Sequence, residues 1–567
     1  MYGVSGLVLR NLSFLNTEPN GELLYNGIQL PAQWPPRNIN PQNYDPMDVP
    51  YLASPPRVIP INVGRQLFVD DFLIEKTTLT RQFYSPKKID SNPIFKPETP
   101  LEHAPFGIPG ATPKDGGIWW DPKDKLFKMW YEAGWLYTMA YATSEDGINW
   151  VRPELDIDHG TNRIFPEIAA DSSTVFIDYA TKNENERFKM FLRPPNTVQG
   201  VKRKFNRGYV AVSPDGIHWT EPLETGICGD RTTIFYNPFR KKWVFSLRNT
   251  GEFGKSSIGR SRYYLEHDDF LKGAKWETAE PVFWTGADRL DLPDPEIGDK
   301  AQLYNLSAVG YESIMLGMHQ IHLGPDNEIC LKAATPKITE LKVSFSRDGF
   351  HWDRPNRDVF IKATRKQGDW DRGYVQSVGG ICTVVGDQLR IHYIGFKGDE
   401  SKKHSVYVKN GMHSFGSAGI AVLRRDGFAS MKGDRKGGEL TSRVVTFDGR
   451  YLFVNANCKD GELKVEVLNE DGSVIRKFSA ANCVPVKVDS TIHQVSWKGG
   501  DDLSSLSKKK VKFRFHLKNG ELYAFWVSPE KSGASHGYNA AGGPGFNGPT
   551  DVEGILAYEK ASSYTKF

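Results

Sequence analysis

SEDGINW (144–150), SPDGIHW (213–219) and SRDGFHW (346–352) set Ser, Asp-Gly and Trp at the same offsets three times in one chain. Asp-Gly between apolar segments supplies the φ > 0 turn of a hairpin, so each copy reads as a tight turn joining two strands. The gap from Asp215 to Asp348 is nearly twice that from Asp146 to Asp215, which leaves room for one degenerate copy. HDDFLKGAKW (267–276) stands there with the closing Trp but without Ser-x-Asp-Gly, and LRRDGFAS (423–430) repeats Arg-Asp-Gly-Phe without its Trp. The chain therefore carries five units.

Each unit holds strand-like segments such as FKMWYEA, FKMFLRP and KWVFSLR, and long periods of this kind mean one four-stranded antiparallel sheet per unit, stacked radially. The expected fold is all-β: a five-bladed β-propeller, each motif tryptophan packing between neighbouring blades, followed by a C-terminal β-sandwich. A chain of 567 residues with 54 Gly, 35 Pro and 12% aromatics fits this reading, since single ordinary cores stop growing at about 250–300 residues. Residues 437–528 alternate apolar and polar positions between Asp-Gly and Asn-Gly turns, as sandwich strands do. The expected boundaries are an extended, proline-rich N-terminal arm (1–62), the propeller (63–436), and the sandwich with its Gly-rich tail SGASHGYNAAGGPGFNGPTD (437–567).

The 72 basic and 68 acidic residues leave a net charge of +4, too little to argue for nucleic acid or a membrane surface. Five cysteines without a C-x-x-C pair signal neither a zinc site nor a disulfide framework. No apolar run approaches the roughly 20 residues of a membrane span, and MYGVSGLVLRN lacks the regions of a secretory signal.

The S-x-D-G-x-x-W turns resemble the Asp-box of sialidases with one spacer missing, and equivalent turns in five-bladed glycoside hydrolases that cut fructans and arabinans. QLFVDDFLIE (66–75), SNPIFKPETPLE (91–102), DRTTIFYNPFRKKWV (230–244) and GRSRYYLEHDDF (259–270) resemble a bacterial group similar to glycoside hydrolase family 32. That group is also similar to family 143, which removes an acidic keto-sugar from pectic rhamnogalacturonan II. The resemblance runs from about residue 60 onward and implies an oligo- or polysaccharide substrate.

In a propeller the innermost strand of each blade starts on one face and the second strand returns to it. For the first position DSSTVFID and DRTTIFYN align Asp171 with Asp230, with Arg231 beside the latter; Asp115 falls within one residue of this register, and Asn305 and Gln376 head the fourth and fifth inner strands. For the second position FKMWYE, FKMFLR, WVFSLR and IMLGMH align Glu132, Arg193, Arg248 and His319. Asp115, Glu132, Asp171 and Asp230 are the candidate acid, base and pKa-setting carboxylates of glycosidic cleavage. Arg193, Arg231, Arg248 and His319 are candidates to hold an anionic group of the sugar, because guanidinium forks suit carboxylates. Asn305 and Gln376 would take its hydroxyls, and Glu102, in TPLEH, would reach the pocket from the loop before blade one. One of Asp70 and Asp71 faces inward by alternation and reads as structure.

The resulting expectation is an exo-acting glycoside hydrolase releasing a terminal acidic sugar, without a cofactor and without a metal ligand set. The propeller axis leaves room for a structural calcium ion. A neutral-sugar hydrolase of the fructosidase or arabinofuranosidase type, and a non-catalytic carbohydrate-binding propeller, are the alternatives. A polymer substrate leads to the expectation of a periplasmic or secreted protein whose signal has been removed; oligomeric state is left open.

Overall fold

The computed structural model describes residues 21–564, apart from 105–107, 167, 196, 199–200, 203–205, 250, 252, 255–257 and 403–410. Residues 1–20 of the expected arm thus lie outside the described residues.

Five antiparallel sheets follow one another along the chain. Blade one comprises Ala111–Thr112 with Ile118–Asp121, then Leu126–Ala133 and Thr138–Ser144. Blade two comprises Ser172–Ile177, Phe188–Arg193, Arg207–Ser213 and Leu223–Ile227. Blade three comprises Thr233–Asn237, Lys242–Asn249, Ser261–His267 and Val282–Gly286. Gln302–Glu312, Ile314–Gly324 and Ile338–Ser346 build blade four, and Gly373–Val385, Gln388–Phe396 and Gly416–Arg424 build blade five. Each inner strand lies against those of the adjacent blades, and the fifth lies against the first, so the ring closes. Blade five takes its outer strand from Lys87–Lys88, which pairs with Ala421 and Val422.

The repeated turn is a clamp between blades. In the first two copies the serine hydroxyl accepts the glycine N–H at 2.8 Å, while the aspartate accepts the two following backbone N–H groups at 2.8–2.9 Å. With the turn rigid, its carbonyls become fixed acceptors for the preceding blade. Arg390 of blade five donates to Asp146 O at 2.7 Å, Trp130 of blade one to Gly216 O at 2.7 Å, and Trp284 of blade three to Phe350 O at 2.8 Å. Gly216 sits at φ +85, and a Cβ there would lie 2.5 Å from the Trp130 ring. Gly216→Ala is therefore expected to cost about 2 kcal/mol or more from backbone strain and overpacking together, read as a lower unfolding midpoint; an unchanged midpoint would mean that this clamp carries no load.

Two six-stranded sheets form the sandwich. Val511–Lys518 alternates buried and part-exposed positions, sending Val511, Phe513, Phe515 and Leu517 into the core. The chain is divided differently from the expected boundaries. Ile59–Pro60 and Ile74–Thr77 pair in one sandwich sheet, and Gln66–Leu67, Thr80–Phe83 and Ala429–Gly433 in the other. Strands of two to five residues carry too little alternation to declare their sheet. Asp70 is buried and takes Nε and Nη2 of Arg347 at 2.7 and 2.8 Å, tying this segment to the blade-four turn; Asp71 is exposed beside Arg81.

The Gly-rich tail returns to the propeller. Tyr538–Asn539 pairs with Tyr311 and Glu312. Ala540 N–H donates to Gly310 O at 3.0 Å, Ala541 N–H to Cys382 O at 3.0 Å, and Trp120 N–H to Ala541 O at 2.9 Å. A Cβ on Gly543 would fall 1.7 Å from Val384 O, so the tail's glycines permit the approach. It spans inner strands of blades one, four and five at the ends opposite Asp115, Asn305 and Gln376.

Candidate active site

At their other ends the inner strands of the first four blades bring charged and polar side chains together. The blade-one strand is interrupted by a 3-10 turn, Lys114–Gly116, whose Lys114 adopts φ +43. This break carries Lys114 and Asp115 toward blades two to four. The Lys114 ammonium contacts the Glu132 carboxylate directly, donates to Asp171 O at 2.8 Å and lies 4.6 Å from the Trp135 ring centroid. Burial pushes Glu132 up to about 7, with Lys114 holding it back from rising further. Its other oxygen accepts Leu136 N–H at 2.7 Å.

Asp115 is buried against Arg231 at 3.0 Å, and Asn305 Nδ2 donates to both of its oxygens at 3.3 Å. Burial raises its pKa against the pull of Arg231 and Arg262. Arg262 is fully buried behind this pair, donating to Arg231 O at 2.9 Å and to Ser246 Oγ at 3.0 Å. Burial and the neighbouring Arg248 push it down to about 9.

Asp171 and Asp230 head adjacent inner strands and remain open to solvent, with side chains 19% and 28% exposed against 2% for Asp115 and Glu132. Arg193 meets Asp171 at 3.0 Å, and Arg248 contacts Asp230. Burial raises Asp171, Arg193 opposes, and the charge of Asp230 adds to the rise. Burial opposes ionisation of Asp230 as well, but Arg248, Arg193, Lys337 and Arg260 outweigh it and hold this carboxyl below its ordinary range. Two neighbouring carboxyls are thus driven apart.

Beyond Asp230 lies a cationic wall. Tyr304 Oη and Tyr374 Oη share a hydrogen bond at 2.7 Å. Around the Tyr304 ring stand Arg248 at 4.9 Å, Lys337 at 5.2 Å and Arg260 at 5.7 Å, with His322 stacked at 6.0 Å. Burial would raise the Tyr304 phenol, but Lys337 and Arg248 bring it below its ordinary range.

Eight of the eleven residues singled out in the sequence come together here: Asp115, Glu132, Asp171, Asp230, Arg193, Arg231, Arg248 and Asn305. Gln376 is fully buried with neither amide atom bonded among the described residues. His319 lies elsewhere. It bonds Ser344 Oγ at 2.9 Å and sits among Arg354, Asp291 and Arg357; the blade-four strand runs on to Gly324, so the residue beside Tyr304 is His322. Glu102 is also a correction. It closes the capping box of Pro100–His103 and accepts Tyr131 Oη at 2.8 Å and Arg152 Nε at 2.6 Å, which leaves it a structural anchor. Sequence reading missed Lys114, Arg262, Lys337, Arg260 and Tyr304. Arg260, Arg262 and Lys337 stand at the starts of third strands, outside the registers of the first and second strands.

Among the described residues no group of three or more His, Cys, Asp or Glu side chains is arranged to hold a metal ion, and the five cysteines are buried and form no disulfide.

No family model matches the chain, and no curated protein matches it in sequence. Solved structures with a similar course of the chain include an N-acetylgalactosamine deacetylase from F. plautii in complex with blood group B trisaccharide, at 16% identity over 63% of this chain and 96% of that one, TM-score 0.39. A thermostable family-43 glycoside hydrolase matches at 12% identity over 57% and 96%, TM-score 0.36. A fructofuranosidase from Schwanniomyces occidentalis complexed with fructose matches at 10% identity over 78% and 99%, TM-score 0.34.

Proposed function

We propose that the protein is an exo-acting glycoside hydrolase that removes a terminal acidic sugar from a complex polysaccharide. One arrangement carries the reading: Asp171 and Asp230 head adjacent inner strands, both reach solvent and each lies against an arginine, Arg193 and Arg248, while burial and the neighbouring Asp230 charge raise Asp171. That is the arrangement needed when one carboxylic acid protonates the leaving oxygen and the other, ionised, activates water or attacks the anomeric carbon. Asp171 takes the first role and Asp230 the second. Glu132 and Asp115, locked against Lys114 and Arg231, set the surrounding charge and position Lys114 on the Asp171 carbonyl.

The acidic character of the sugar is supported by charge balance. Lys114, Arg193, Arg231, Arg248, Arg260, Arg262 and Lys337 outnumber Asp115, Glu132, Asp171 and Asp230, leaving a surplus of cations that an anionic substrate would neutralise. The tail bound across the far ends of three inner strands favours a pocket entered from one side, which suits a chain end. Such a substrate would be met in the periplasm or outside the cell, and the resemblance to family 143 points to a pectic one.

The test is a digest of pectic, fructan, arabinan and sialylated glycans by the purified protein, with released sugars identified by mass and charge. The expected product is an acidic monosaccharide. A neutral pentose or hexose would overturn the acidic part alone, and binding without release from any glycan would overturn the hydrolase.

A further inference from the structure

We propose that Lys337 and Arg260 form the subsite that takes the substrate's carboxylate, on the blade-three and blade-four side of the pocket, with Tyr304 and His322 completing it. This rests on the acidic-sugar hydrolase reading and differs from the assignment that the sequence suggested, in which Arg193, Arg231, Arg248 and His319 hold the anion. Those three arginines each meet a carboxylate of the protein, and His319 lies elsewhere.

Lys337 is 2% exposed, and its ammonium donates to the neutral Asn327 Oδ1 at 2.9 Å. It lies over two aromatic faces, 4.6 Å from the Tyr374 centroid and 5.2 Å from that of Tyr304. Arg260 donates from Nη1 to Gln302 Oε1 at 2.9 Å, again a neutral acceptor. Among the described residues neither cation meets a carboxylate. His322 is 1% exposed, and among the described residues neither ring nitrogen has a hydrogen-bond partner. Asp230 acts on both cations only from a distance; a buried ammonium with no carboxylate in contact is costly, and an unbonded buried imidazole adds to that cost. A sugar carboxylate bound here would supply the missing counter-ion, give Arg260 a charged acceptor, and accept from the Tyr304 or Tyr374 hydroxyl. The pocket would then distinguish an acidic sugar from its neutral counterpart, because only the acid fills an otherwise unsatisfied site.

The experiment compares wild type, Lys337→Met and Arg260→Gln in calorimetric titrations with galacturonate, glucuronate and a 3-deoxy-2-keto-aldonic acid, each paired with a neutral sugar of similar size. Both variants are expected to bind the acid about tenfold or more weakly, the loss of one charge-assisted contact, with neutral-sugar binding unchanged. Lys337→Met is further expected to melt no lower than wild type, since it removes a buried charge that meets no carboxylate directly. Acid binding that is unchanged in both variants would overturn the subsite and leave the hydrolase reading standing. Wild type that binds no acid on the panel would overturn both. A lower melting temperature for Lys337→Met, accompanied by loss of tyrosinate absorbance, would show that Tyr304 already supplies the counter-ion and would overturn the subsite. Arg260 is only part-buried, so its variant keeps the test decisive should Lys337→Met fail to fold.

Discussion

Asp171→Asn is expected to lower kcat by about 10²–10⁴-fold, the usual contribution of a general acid, with the fold retained. The carboxamide keeps the shape but cannot give a proton to the leaving oxygen. Wild-type activity should be lost as pH rises through the raised pKa of Asp171, and also as pH falls through the depressed pKa of Asp230. The asparagine variant should lose the alkaline limb; Asp230→Asn should lose turnover together with the acid limb. Stability follows a separate sign. A carboxyl whose folded pKa is raised carries its stability in full below its unfolded pKa and loses it as pH rises through the folded pKa, so the Asp171 variant should gain on wild type as pH rises through that range, offset by the charge partner that buried Arg193 loses. Glu132 is pushed up to about 7. Its negative charge, where present, favours the protonated form of Asp171, so Glu132→Gln should move the alkaline limb to lower pH. Full turnover by Asp171→Asn would remove this carboxyl from the mechanism.

Arg425→Met should destabilise the protein by about 3–5 kcal/mol, the range for breaking a buried ion network by removing one partner. Arg425 is fully buried and meets Glu312 at 3.1 Å and Asp551 at 2.9 Å, while Arg65 meets Asp426 at 3.0 Å and Glu312 at 3.3 Å. Tyr311 Oη donates to Asp426 at 2.6 Å and Ser535 Oγ to Glu312 at 2.7 Å. The network joins the segment before the propeller, the blade-four hairpin, the blade-five turn and the tail. Without Arg425, Glu312 and Asp551 face one another with a charge too few. Differential scanning calorimetry should show a fall in melting temperature of about 3–4 degrees, the shift that this loss gives in a chain of this length. Proteolysis should cut the tail before the blades. An unchanged melting temperature would mean that the carboxylates simply take up protons or water.

The blades were legible because Ser-x-Asp-Gly-x-x-Trp binds its own backbone: the hydrogen bonds that make the clamp lie within a few residues. The first-position alignment places Asp171 for a similar reason, since this residue stands immediately ahead of a regular strand, and brings Asp230 to the same face although two residues, Arg231 at φ +56 among them, separate it from Thr233. It lost precision where backbone irregularity sets direction. The ladder shifts between Leu303 and Asn305, and again between Gly373 and Gln376, and each shift re-aims the residues beside it. Tyr304 and Tyr374 owe their meeting to these places. His319 failed through length, because the strand continues to Gly324 and the reading stopped a turn of the pleat too early. Glu102 failed because a buried carboxylate satisfied by Tyr131, Arg152 and two backbone N–H groups looks, in sequence, like any loop acid.

Ring closure also constrains how the protein is made. Leu67 pairs with Ala524 and Lys87 with Val422, so the earliest strands wait for partners that emerge hundreds of residues later. At ~5–20 residues per second of translation, that delay is on the order of half a minute. Through it, the first blades stand as an open stack with an unpaired edge, the form most prone to capture another chain.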